Sequence, residues 1–203
     1  MIGLYAIVSE VPQGLRDAEG APLRAVNAGA LIALVGGPSP EVSPEALRAH
    51  DAAVRKIAAS VEACLPARFG ATAEDEPALL AELKDREADL RAALELVRGR
   101  EQMTLRIHGP PATKAPSRGK PGTRYLEERK RAATLPELEP LRAALSQLVR
   151  AEKVERSEAL LASVYHLVDR GSAGAYARIV SGTSLDGLEV KVSGPWPAWS
   201  FAP

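Results

Sequence analysis

The sequence predicts an α+β protein of two small domains. A ferredoxin-like N-terminal domain over 1–109 has helices covering a small sheet, a linker occupies 110–122, and a C-terminal α+β domain with helices and a few strands fills 123–203. Three observations carry this expectation. Short runs rich in apolar and β-branched residues, at 2–8, 30–35, 103–107 and 188–192, alternate with longer stretches of helical period. Residues 109–122 hold Pro110, Pro111, Pro116 and Pro121 with almost no apolar side chain. A length of 203 residues suits one large core or two small ones.

In chain order, Ile2 to Val8 reads as a buried strand stopped near Pro12 and Gly14, and Ala30 to Val35 repeats the pattern before Gly36-Gly37-Pro38. A helix is predicted from Ser43-Pro44-Glu45, where a hydroxyl can cap, proline fits the first turn and an acid meets the dipole. Leu47, Val54, Ile57, Val61 and Leu65 form its stripe. His50 falls on the same stripe, the place of a hydrogen-bonded core histidine more often than of a ligand, and Cys64 reads as small core filler. Pro66 forbids continuing the helix, so Leu65-Pro66-Ala67-Arg68-Phe69-Gly70 is expected to be a brief extended segment with Phe69 inward, Arg68 outward and Gly70 ending it. A second helix is predicted from Pro77 to about Arg98, stopped by Gly99. The following strand should bury Met103, Leu105 and Ile107 and leave Gln102, Thr104, Arg106 and His108 wet. If the segment at 65–70 lies beside that strand, Arg68 and Glu101 come near each other.

Beyond the linker the sequence suggests helices from Thr123 to about Ala133 and Pro136 to about Glu152, a strand from Leu160 to Val168, and a short helix capped by Ser172 carrying Tyr176, Ile179 and Val180. Asp186-Gly187 then turns the chain into the strand Leu188, Val190, Val192. That strand delivers Gly194-Pro195-Trp196-Pro197-Ala198-Trp199-Ser200-Phe201, which holds both tryptophans and one of two phenylalanines. Two prolines exclude helix or inner strand, so the rings should lie along an apolar surface. That surface is either the protein's own core or a partner's. The setting of Trp196 between prolines predicts that it packs inside the C-terminal domain, with Trp199 the more exposed anchor.

Composition excludes several classes. Hydrophobic content of 46% with 26% charge is globular, and 26 basic against 26 acidic residues leave no global field for nucleic acid or anionic lipid. The single Cys64 forbids an internal disulfide, and no basic, apolar leader opens the chain, so a reducing cytoplasm is the expected compartment and no membrane partner is expected. His50, His108 and His166 lack metal-site spacing, no nucleophile elbow occurs, and Gly119-Lys120-Pro121 fails the phosphate-loop pattern. No catalysis, cofactor or metal is expected. The alternative function is an RNA-binding module, since ferredoxin-like sheets bind RNA and Lys114, Arg118, Lys120, Arg124, Arg129, Lys130 and Arg131 cluster. Glu127 and Glu128 dilute that cluster, and the 102–108 strand has no stacking aromatics.

One ordered set of motifs remains: Leu65-Pro66-Ala67-Arg68-Phe69-Gly70, Gly99-Arg100-Glu101, Tyr125-Leu126, Tyr165-His166-Leu167-Val168-Asp169-Arg170 and the closing octapeptide, with His50 and Val54 ahead of the first. This order resembles the gas vesicle protein GvpF/GvpL family across nearly the whole chain. The family's closing Gly-Pro-Trp-Pro-Pro-Tyr-Ser-Phe stands here with Ala198-Trp199 in place of Pro-Tyr, and Ala67 and Ala71 replace the usual valine and threonine. The resemblance implies a non-enzymatic accessory protein of gas vesicle formation. It would sit in the cytoplasm and on the gas vesicle, bind the hydrophobic shell protein GvpA and other accessory proteins, and limit shell-protein aggregation during nucleation. It also implies structural roles for Leu65, Pro66, Arg68, Phe69, Gly70, Glu101, Tyr125, Tyr165, Gly194, Pro195 and Trp196, with Trp199 and Phe201 facing the partner.

Overall fold

The computed structural model describes residues 1–109, 135–157 and 160–203. Its elements are mixed α and β, and the chain divides into two compact units. The first unit comprises Met1–Gln102 together with Trp196–Pro203, and the second Met103–Pro195. The linker expected over 110–122, the helix over 123–133 and Tyr125 lie outside the described residues.

The first unit is built on an antiparallel sheet of β1 (Ile2–Val8), β2 (Arg24–Ala28), β3 (Leu31–Gly36) and β4 (Cys64–Pro66), in the order β2-β3-β1-β4, with the short β5 (Thr72–Ala73) pairing β1. β2 went unread in the sequence because Arg24, Ala25 and Asn27 are exposed and only Val26 is buried, an edge strand with little apolar signal. A two-residue turn joins β2 to β3, with Gly29 at φ 64 in its first central position, where a side chain would be strained.

Helix α1 (Pro44–Ser60) starts where expected: Ser43 caps it by accepting from Ala46 N at 3.1 Å. It buries Ala53, Val54 and Ile57 in one cluster with Tyr5, Ala6, Val8, Leu34 and Cys64. The pairings Ile7↔Ala33, Ile7↔Leu65 and Val26↔Ala33 put those four residues on the opposite face of the sheet. There α2 (Glu76–Asp85) and α3 (Glu87–Val97) touch β2, β3 and β4 and bury Leu79, Leu83, Leu90, Leu94 and Val97. Helices therefore lie over both faces of this sheet.

Three local expectations are corrected. Leu47 is exposed; it holds the N4 position with Val42 at N′, the pair of places a hydrophobic staple uses. Val61 and Leu65 are buried, but as the helix cap and in β4, since the chain leaves α1 after Ser60. The single helix expected over 77–98 is two, broken at Arg86, where no large apolar residue between Leu83 and Leu90 holds the turn to the core.

The second unit carries a sheet ordered β7-β8-β6-β9, from β6 (Arg100–His108), β7 (Val149–Ser157), β8 (Leu160–Asp169) and β9 (Glu189–Trp196). From Met103 onward, β6 thus belongs with this sheet and not with the N-terminal one. Met103, Leu105 and Ile107 join Ala162, Val164, Val168 and the helical residues Leu138, Leu141, Leu145, Tyr176 and Val180 in its core. Those last five come from a 3-10 turn (Pro136–Leu138), α4 (Glu139–Leu145) and α5 (Ala173–Gly182). Gln102 and Thr104, expected wet, are buried. The helix expected to reach Glu152 ends at Leu145. Residues from Val149 pair antiparallel with β8, and this cross-strand pairing overrides the helical reading of a charged segment. Ser172 precedes α5, but its side chain makes no cap hydrogen bond.

Candidate functional site

His50 organises the motif residues of the first unit. Its place on the buried side of α1 leaves the ring 5% exposed. Nε2 lies 3.0 Å from the Ala67 carbonyl, which can only accept, so Nε2 carries the proton and donates. Three rings surround it: Tyr5 at 4.9 Å, Phe69 edge-on at 5.6 Å and Trp199 at 6.5 Å between centroids. The Tyr5 hydroxyl accepts from Ala18 N at 3.0 Å, and burial pushes its pKa up. Beneath it Asp17, which carried no signal in the sequence, is buried; its carboxylate takes the backbone N–H groups of Glu19, Ala21 and Gly37 and so fixes the loop before β2.

The C-terminal octapeptide ends in this unit, not in the C-terminal domain where the sequence put it. Both tryptophans are half-buried: Trp199 packs against the cluster of Tyr5, Val54 and Ile57, and Trp196 has the Arg55 guanidinium 4.2 Å over its ring. Neither tryptophan lies in the C-terminal domain: Trp196 sits beside α1, and the turn formed as Trp199 N donates to the Pro197 carbonyl at 2.7 Å brings that ring onto the core while leaving it partly exposed. Phe201 is 3% exposed, which removes it as a surface contact. Ser200 N donates to Gln102 Oε1 at 2.9 Å, and this accounts for the burial of Gln102.

Leu65 and Pro66 are buried in β4, Gly70 turns with φ 85, Phe69 is half-buried and Arg68 exposed. Glu101 is half-buried on β6. Gly194 and Pro195, joined by a cis peptide bond, close β9. The basic cluster from Lys114 to Arg131 lies outside the described residues.

The second unit holds a polar network that sequence reading missed. The β7–β8 register sets Glu152 opposite His166. His166 Nε2 donates to Glu152 Oε2 at 2.8 Å, and its Nδ1 lies 2.7 Å from the Tyr176 hydroxyl on α5. Arg142 on α4 grips the same carboxylate, with Nη2 2.9 Å from Oε1, and also donates to the Leu135 carbonyl and Glu139. The hydrogen bond from His166 together with Arg142 holds the Glu152 carboxyl down to about 2 against the cost of its burial. Tyr165 projects from the other face of β8, where its hydroxyl donates to Glu155 at 2.9 Å. A carboxylate, imidazole and hydroxyl in line suggest nucleophile activation. Tyr176, however, is wholly buried and its pKa is pushed far up, the reverse of what a nucleophile needs. The line is a structural brace.

Among the described residues no group of three or more His, Cys, Asp or Glu side chains could hold a metal ion, and no helix is long and apolar enough to cross a membrane.

The family model for "Gas vesicle synthesis protein GvpL/GvpF" matches residues 2–203. The chain is 26% identical to gas vesicle protein L of Streptomyces sp. (strain CB03234) over 235 residues, covering 95% of this chain and 87% of that relative. The crystal structure of gas vesicle protein GvpF from Anabaena sp. PCC7120 superposes with a TM-score of 0.73 at 14% identity, covering 100% of this chain and 95% of that one. GvpF from Microcystis aeruginosa gives 0.74 at 13%, covering 100% and 98%.

Proposed function

The chain belongs to the gas vesicle synthesis protein GvpL/GvpF family, and from that membership we propose that it is a non-enzymatic accessory protein that binds the shell protein GvpA and limits its aggregation during vesicle nucleation. A role in gas vesicle formation follows from the family. The observation that carries the reading is the family match across 2–203, which leaves no large part of the chain for an unrelated activity. One structural feature and one physical argument support the finer statement. In the most reaction-like constellation, Glu152, His166 and Tyr176, the hydroxyl that would react is wholly buried beside the buried His166, in keeping with a non-enzymatic part. A shell subunit that buries its apolar surface only on assembly needs a partner offering apolar contacts beside a charged exterior. In this reading Trp199 and the neighbouring half-buried Phe69 form the partner-facing patch, and buried Phe201 holds the segment that presents Trp199. Other gas vesicle accessory proteins are the further partners expected, at the vesicle and in the cytoplasm. Co-expression with the shell protein tests the reading: the shell protein should stay in the supernatant and co-purify. A shell protein that precipitates as it does alone, with none retained by this chain, overturns it.

A further inference from the structure

Val42 and Leu47 hold the N′ and N4 places of α1, where a hydrophobic staple closes over a helix start, yet Val42 is 78% exposed and Leu47 44%. A staple accounts for where they stand and not for the apolar surface they leave in water. Leu47 lies one turn before His50 on the same stripe of the helix, so the two side chains are neighbours. The His50 ring in turn meets Phe69 at 5.6 Å and Trp199 at 6.5 Å, both half-buried. Val42, Leu47, Phe69 and Trp199 thus make one apolar strip beside the N-terminal half of α1. At 1.5 Å per residue it runs about 9 Å from Pro44 to His50, and Val42 and the two rings extend it at either end.

The charges beside the strip differ between its length and its ends. Along the helix they are already matched: Arg48 pairs with Glu45 at 3.6 Å and Arg55 with Asp51 at 2.7 Å. Glu41, next to Val42, and Arg68, next to Phe69, are exposed and have no side-chain partner among the described residues. The strip therefore suits an apolar guest that is positive at one end and negative at the other. An α-helix is such a guest, because its macrodipole places partial positive charge at the N-terminus and partial negative charge at the C-terminus, whereas a strand has almost none. We infer that the strip seats the apolar stripe of a partner helix about three turns long, its N-terminus at Glu41 and its C-terminus at Arg68. The inference rests on the proposed function, which makes the shell protein the source of that helix, and it carries the partner-facing patch from Trp199 and Phe69 along α1 to Leu47 and Val42.

The test is the amount of shell protein that co-purifies with the full chain and with five variants. Val42→Asp and Leu47→Asp should each lower it about tenfold or more, as loss of an interface anchor does, and Leu96→Asp, at an exposed leucine on α3, should capture as wild type does. Glu41→Lys and Arg68→Glu should each lower capture about two- to fivefold, because each puts a like charge against an end of the dipole. Thermal melts of all five should stay within a few degrees of wild type, and if Leu47→Asp melts lower, Val42→Asp decides. Full capture by the two apolar variants, or an equal loss in Leu96→Asp, would overturn the strip as the docking surface. Unchanged or stronger capture by Glu41→Lys and Arg68→Glu would overturn the oriented helix. In each of those cases wild type still captures the shell protein and the proposed function stands; a wild type that captures none overturns both.

Discussion

Replacing Glu152 by glutamine keeps the shape of the brace between β7, β8, α4 and α5 but removes the charge that His166 and Arg142 share. The carboxyl is held at about 2 against an ordinary value of 4.5. At about 1.4 kcal/mol per unit that difference corresponds to ~3 kcal/mol, and the 27% exposure of the Glu152 side chain reduces it to about 2 kcal/mol after solvent screening. The pKa is depressed in the folded state, so the stabilisation is fully present above the unfolded value of 4.5 and is lost as pH falls through about 2. Urea unfolding of wild type and Glu152→Gln should therefore differ by about 2 kcal/mol at pH 7 and by less than about half of that at pH 3. Taking the difference between the two proteins cancels the titrating groups that do not interact with residue 152. A gap that stays constant from pH 7 to pH 3, or a glutamine variant as stable as wild type at pH 7, refutes the assignment of this network as a charge-dependent brace.

Truncating the buried ring in Phe201→Ala should cost about 3 to 5 kcal/mol and lower the melting temperature of the first unit, although residue 201 is far from that unit in sequence; a thermal melt within a degree of wild type would show that the segment does not anchor there. Arg68 is exposed, so a double-mutant cycle of Arg68→Ala with Glu101→Ala should give a coupling below ~0.5 kcal/mol; a coupling above ~1 kcal/mol would mean that the two motif residues act as a buried pair.

Much of the first unit was legible from period and capping alone. The β1 and β3 runs are short, β-branched and apolar, and Ser43-Pro44-Glu45 announces α1 whatever surrounds it. His50 could be assigned to a hydrogen-bonded core position because its place on the helix stripe is a local fact. What escaped depended on partners far along the chain. In β7 the charges Arg150, Glu152, Lys153 and Glu155 look like the wet face of a helix, and only pairing with β8 makes them an edge strand. Misreading that strand also hid Glu152 opposite His166, since a cross-strand pair exists only once the register is known. The octapeptide's aromatic content showed that it would be pinned, but not to which core, because ring size carries no address. Asp17 was invisible for a simpler reason: a carboxylate that turns back onto its own loop has no periodicity to read.

The first unit is assembled from both ends of the described chain, Met1–Gln102 and Trp196–Pro203, with the whole of the second unit inserted between them. During synthesis, when domains form as they emerge, the α1 cluster must wait with its Trp199 contact unfilled until residues 103–195 have been made. The second unit is complete in sequence before the first is. The order of completion thus runs against the order of synthesis, and a ribosome stalled anywhere after Gln102 presents a nascent chain whose earliest domain still lacks its closing piece.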